Sequence, residues 1–215
     1  MAKGEALKPI DKDNFNLGFI GAGNLASIVA TGLVKLEILL ASRMFTVHRN
    51  LESMVAFTSL GVQVFQQSSK VVEECDVIIF VVKPQMRSNF GVGPSISEDK
   101  LLVSLAVGHK LKVLQEWAGH GRFIRIVPST ASAVGEVAIV DNSFHLAETY
   151  HVIMKNDLSM NLGEGATKED EELIANLFGA VGKVWIMDEK LSDAAGAVGY
   201  VSGDLTLDRG ICYIL

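Results

Sequence analysis

The sequence predicts an α/β protein with an open, doubly wound and mostly parallel sheet. Three observations lead there. Strand-sized apolar runs alternate with helical spacing from Leu17 to Val127, as right-handed βαβ units require. The run Val77-Ile78-Ile79-Phe80-Val81-Val82 is apolar throughout, which suits a central strand covered on both faces. A glycine-rich turn, Gly21-Ala22-Gly23, stands between the first strand-like run and the first helical one. That placement makes the expected sheet Rossmann-type.

The elements follow in order. Leu17 to Ile20 reads as a short buried strand. Asn24 to Lys35 is a helix, because Leu25, Ile28, Val29, Leu33 and Leu36 recur at three- and four-residue steps. Arg43 to His48 is a strand and Leu51 to Leu60 a helix, ended by Gly61. Val62 to Phe65 is a strand, Lys70 to Glu74 a short helix, and Val77 to Val82 the apolar strand already named. Leu101 to Leu105 and Phe123 to Val127 are strands, with a helix over Lys110 to Trp117 between them. Lys168 to Gly179 is an amphipathic helix with Thr167 as its N-cap. Its acidic opening, Glu169 to Glu172, reads as a solvated helix start favoured by the macrodipole. Lys183 to Met187 closes the set as a strand.

Composition narrows the function. At about 150 residues per domain, 215 residues make one domain and a remainder. The chain is 49% hydrophobic and 20% charged, which excludes a wholly disordered chain. A net charge of −6 gives no broad basic surface for nucleic acid. Mean hydropathy is +0.32, yet no apolar run approaches the roughly 20 residues of a membrane span. Residues 1–16 lack the apolar core of a signal peptide and read as a flexible segment. Two cysteines, Cys75 and Cys212, make no disulfide framework. The expected location is cytoplasmic.

The chemistry is expected at the carboxyl ends of the strands. Ile20-Gly21-Ala22-Gly23-Asn24-Leu25-Ala26 carries a G-x-G-x-x-A fingerprint. Gly21 permits a tight turn, Gly23 lets backbone approach a pyrophosphate, and Ala26 keeps helix and strand close. The phosphates are expected at the helix N-terminus. At the end of the second strand stands His48-Arg49-Asn50, with no carboxylate to accept from a ribose 2′-hydroxyl. The Arg49 fork suits a 2′-phosphate, so NADPH is the expected cofactor, with NADH possible. Val82-Lys83-Pro84 puts a cation at the next strand end. Ala106-Val107-Gly108 and Pro128 close two further ends with small or rigid residues that suit a flat ring. No metal is expected; His145, Glu148 and His151 read as part of an extruded loop.

Together these landmarks resemble the pyrroline-5-carboxylate reductase family, its plant members above all. The resemblance rests on Leu17 to Asn24, Val81-Val82-Lys83-Pro84-Gln85, Ser97 to Ser104, Leu114 to Arg125, Leu162 to Thr167 and Leu177 to Lys183. It implies reduction of 1-pyrroline-5-carboxylate to L-proline by NAD(P)H, the last step of proline biosynthesis. It implies that Lys83 lies close to the substrate. It implies that Glu189, four residues before Asp193-Ala194, lies near the ring nitrogen. Ser68 stands where the family carries a cofactor-contacting Asn. Other departures are Pro128-Ser129-Thr130-Ala131 in place of P-N-T-P, and the segment 141–158, which reads as an inserted loop.

The resemblance also sets the expected domains: a nucleotide-binding unit over 17–188, then a divergent stub over 189–215. In the family a helical domain follows there and builds the homodimer; here it is expected to be largely missing. Two other readings stand beside the reductase. One is a catalytically impaired dinucleotide-binding module. The other is an NADP-linked reductase of the β-hydroxyacid type.

Overall fold

A computed structural model describes residues 10–11, 13–21, 23–47, 51–81, 96–105, 109–128, 157–190 and 192, with backbone alone at 24, 51–54, 128 and 157. Eight strands form one sheet: β1 (Leu17–Ile20), β2 (Met44–Val47), β3 (Gln63–Phe65), β4 (Val77–Phe80), β5 (Leu101–Ser104), β6 (Phe123–Pro128), β7 (Asp157–Leu162) and β8 (Lys183–Ile186). Their order is β3-β2-β1-β4-β5-β6-β7-β8. Every pair is parallel except β6 with β7. The doubly wound, mostly parallel sheet is therefore present.

Residues of β1, β4 and β5 are buried without exception, which explains why their sequences are apolar runs and not alternations. Two layers cover them. On one face Leu17, Phe19, Met44, Val77, Ile79, Leu101, Val103, Ile124 and Ile126 meet α1 (Asn24–Lys35), α2 (Leu51–Ser59) and the C-terminal helix. On the other, Ile20, Phe45, Ile78, Phe80, Leu102 and Phe123 meet α3 (Ser68–Glu74) and α4 (Leu111–Ala118). That C-terminal helix, α5 (Lys168–Gly179), buries Leu173, Ile174, Leu177 and Phe178. Each such side chain contributes about 1.5–3 kcal/mol.

Several element boundaries differ from the sequence reading, β4 among them, which ends at Phe80. Arg43 closes a 3-10 turn, Ala41–Arg43, and β2 starts one residue later. The short third helix starts at Ser68, two residues earlier than its spacing suggested. Strand β7 starts at Asp157, so the last two residues of the expected insert belong to the sheet. Among the described residues no helix is long and apolar enough to cross a membrane.

The largest correction concerns the acidic start of α5. Thr167 does cap it: its hydroxyl accepts from the Asp170 amide at 3.2 Å, and Asp170 Oδ2 accepts from the Thr167 amide at 2.9 Å. Asp170 is not solvated, however. Its carboxylate takes a two-pronged contact from Arg122, Nε to Oδ2 at 2.8 Å and Nη2 to Oδ1 at 2.6 Å. Both side chains are 1% exposed. Arg122 Nη1 also donates to the Asp99 carbonyl, so one guanidinium joins β6, α5 and the segment before β5. Beside it, the loop Gly163–Gly165 lies on the backbone of Gly121 to Phe123. A Cβ at Gly163 would stand 2.7 Å from the Phe123 carbonyl oxygen, and one at Gly165 2.7 Å from the Gly121 carbonyl carbon. Glycine is required there by close approach.

Candidate functional site

The crossing of the chain over the sheet locates the crevice. The connection through α1 carries the chain from β1 to β2 on one side. The connection through α3 carries it from β3 back to β4 on the other. The switch point lies at the carboxyl ends of β1 and β4, where ligands of open α/β sheets bind. There the Val81 amide donates to the Ile20 carbonyl at 2.9 Å, and the Leu105 amide to the Phe80 carbonyl at 3.0 Å. These bonds hold three adjacent strand ends level.

The β1–α1 turn stands at that point. Gly21 has φ 101°, a left-handed conformation that a side chain disfavours. Gly23 is the N-cap of α1, in extended backbone, and no side chain caps the helix. Among the described residues, a Cβ built on Gly23 would meet nothing within 4 Å. An exposed glycine before helix amides with no side-chain cap has the geometry that can receive an anion. Ala26 is buried under it, and Leu25 is half-buried against the core. The structure thus brings Ile20, Gly21, Gly23 and Leu25 together at one strand end. Asn24 opens α1, and Ser68 opens α3 after β3.

Glu189 begins a helical turn after β8, in which the Ser192 amide donates to the Asp188 carbonyl at 2.9 Å. Its Oε1 accepts from the Leu111 amide at 2.5 Å and from Arg125 Nη1 at 3.2 Å. No side chain of α4's own start caps that helix, so Glu189 satisfies one of its free amides from a distant segment. Since α4 follows the carboxyl end of β5, Glu189 sits on the crevice side of the sheet. Its side chain keeps 29% exposure while Arg125 keeps 2%.

Sequence reasoning did not single out Arg122, Arg125, Asn161 or Asp170. The signal was present: two arginines in or beside a strand that otherwise reads as buried need acidic or carbonyl partners. Ala22, His48, Arg49, Asn50, Val82, Lys83, Pro84, Ala106, Val107 and Gly108 lie outside the described residues, as do His145, Glu148 and His151. Pro128 is the last residue of β6, opposite Leu158 of β7. Cys75 is buried under β1, and burial pushes its thiol up to about 12, so it is an inert core residue. Among the described residues no three His, Cys, Asp or Glu side chains group as a metal site.

Comparison with known proteins fits this geometry. A family model described as NADP oxidoreductase coenzyme F420-dependent matches residues 16–108, which include the glycine turn and the β4 and β5 strand ends. Pyrroline-5-carboxylate reductase of Pisum sativum is 43% identical over 188 residues, 86% of this chain and 62% of the relative. That of Arabidopsis thaliana is 45% identical over 189 residues, 86% of this chain and 62% of its own length. The chain therefore spans about 62% of the plant relatives it matches. A pyrroline-5-carboxylate reductase from Coxiella burnetii has the same fold, with a TM-score of 0.67 at 22% identity, over 89% of this chain and 68% of that one. A Plasmodium falciparum pyrroline carboxylate reductase with NADP bound has a TM-score of 0.66 at 19% identity, over 95% of this chain and 72% of that one.

Proposed function

We propose that the chain belongs to the pyrroline-5-carboxylate reductase family, of whose plant relatives it spans 62%, and that it takes part in NADPH-dependent reduction of the C=N bond of 1-pyrroline-5-carboxylate to L-proline. The observation that carries this reading is the β1–α1 turn: Gly21 at φ 101°, then Gly23 facing open space before a helix that no side chain caps. Those residues fit a dinucleotide pyrophosphate. We read 17–188 as the nucleotide-binding unit, working in the cytosol, with the small imine substrate as its partner.

When bound, the reduced nicotinamide supplies the hydride. The chain's own residues hold two flat rings in contact and manage charge. Gly21, Ala22, Gly23 and Asn24 bind the pyrophosphate through backbone. His48, Arg49 and Asn50 take the adenosine ribose, with Arg49 on its 2′-phosphate. Ser68, Val82, Pro84, Ala106, Val107, Gly108 and Pro128 line the cofactor. Lys83 meets the substrate as a cation near its carboxylate. Glu189 lies by the ring nitrogen, where its charge favours the protonated imine, the form that accepts hydride.

The test is loss of NADPH absorbance when the full chain is mixed with 1-pyrroline-5-carboxylate. Steady turnover is expected. Saturable NADPH binding with no turnover would leave the chain a dinucleotide-binding module. Turnover of a 3-hydroxyacid with NADP, and none with the imine, would favour the β-hydroxyacid type. Cofactor choice has its own test. Arg49→Ala is expected to weaken NADPH at least tenfold and NADH by less than twofold, because only the former carries the 2′-phosphate. That tenfold corresponds to about 1.4 kcal/mol, within the range for a charge-assisted pair. Equal weakening of both, read by fluorescence titration, would remove the argument for NADPH.

A further inference from the structure

The residues that hold Glu189 form a row across the sheet. Register places Ser104 of β5 beside Arg125 of β6, and Arg125 beside Asn161 of β7. All three are buried. A buried polar row needs partners, and two of its members find theirs on one short segment. Asn161 Nδ2 donates to the Met187 carbonyl at 2.9 Å and to Ser192 Oγ at 2.7 Å. Arg125 Nη1 donates to Glu189 Oε1 at 3.2 Å. The turn 187–192 is thus pinned at its start, middle and end by two neighbouring strands. The same Glu189 oxygen accepts the Leu111 amide, 78 residues away in sequence, and so ties the turn to the first residue of α4.

We propose that Arg125 and Asn161 are positioning residues: they fix the turn 187–192 so that the Glu189 carboxylate caps α4 and stays at the edge of the crevice. Neither can meet a ligand itself, since both are at least 96% buried by their 2% and 4% exposure. They act through Glu189. The α4 start and the turn consequently open and close as one unit. The catalytic consequence rests on the reading of Glu189 as the group by the ring nitrogen; the coupling of turn to helix does not.

Hydrogen exchange at single-residue resolution on the full chain tests the coupling. Asn161 shares no hydrogen bond with α4, yet Asn161→Leu is expected to raise exchange of the Leu111 amide at least threefold. Ser192→Ala, a milder change for the case in which Asn161→Leu does not fold, is expected to act in the same direction. Glu189→Ala exposes the same amide directly, and Asn161→Leu added to it should give no further increase. Leu111 protection unchanged in both Asn161→Leu and Ser192→Ala, or an additive effect in the double variant, would overturn the proposal. Glu189→Gln separates the two readings. It keeps an acceptor for Leu111, so protection should persist while turnover falls. Unchanged turnover would refute the substrate role of Glu189 and leave the coupling standing.

Discussion

Asp170→Ala is expected to cost about 3–5 kcal/mol of folding stability, because it leaves the Arg122 guanidinium charged and buried without its carboxylate. Both side chains are 1% exposed and meet through two parallel hydrogen bonds. Water cannot replace the lost partner at that depth. The substitution also removes the acceptor for the Thr167 amide, half of the capping box. Thr167→Ala alone is expected to cost about 1 kcal/mol, so the cap explains only part of the loss. Replacing both partners, Arg122→Met with Asp170→Leu, should recover most of it, since an apolar pair of similar size avoids the desolvation of two ions. Urea unfolding measures all three variants beside the parent. A shift of midpoint at constant slope is expected. A loss below about 1 kcal/mol for Asp170→Ala would show that Arg122 finds other compensation.

The second large effect separates binding from folding. Gly23→Ala is expected to leave stability within about 0.5 kcal/mol of the parent, because its Cβ meets nothing within 4 Å among the described residues and its backbone is extended, φ −77° and ψ 179°. The same Cβ would stand where a pyrophosphate approaches the helix start. NADPH affinity should therefore fall at least tenfold, which is about 1.4 kcal/mol. Gly21→Ala behaves in the opposite manner. At φ 101° the added Cβ strains the turn by about 1–2 kcal/mol, so stability itself should drop. The two glycines sit two residues apart in one motif, yet they are required for different physical reasons.

That motif was legible in the sequence because everything it needs is local: a strand, two glycines and a helix start within ten residues. The same holds for β1, β4, β5 and α1, whose apolar patterns state their burial directly. Strand β7 was not read, although Asp157-Leu158-Ser159-Met160-Asn161-Leu162 alternates polar and apolar as a strand should. It belongs to the antiparallel end of the sheet, outside the βαβ rhythm that organised the reading. The acidic run at α5 misled for another reason. Helix-start preference accounts for Asp170 so well that nothing in its own segment points to Arg122, 48 residues earlier. Glu189 is similar: resemblance supplied its position, but its bonds to Leu111 and Arg125 span 78 and 64 residues. Local chemistry is written locally; pairings between distant segments emerge only when the sheet brings them together.

A dinucleotide site at the β1–α1 turn makes NADPH binding depend on Gly23. Titration of the full chain with NADPH, beside its Gly23→Ala variant at matched folded fraction, tests it most directly. Saturable binding by the parent and at least tenfold weaker binding by the variant are expected. No binding by the parent, or equal binding by both, would contradict it.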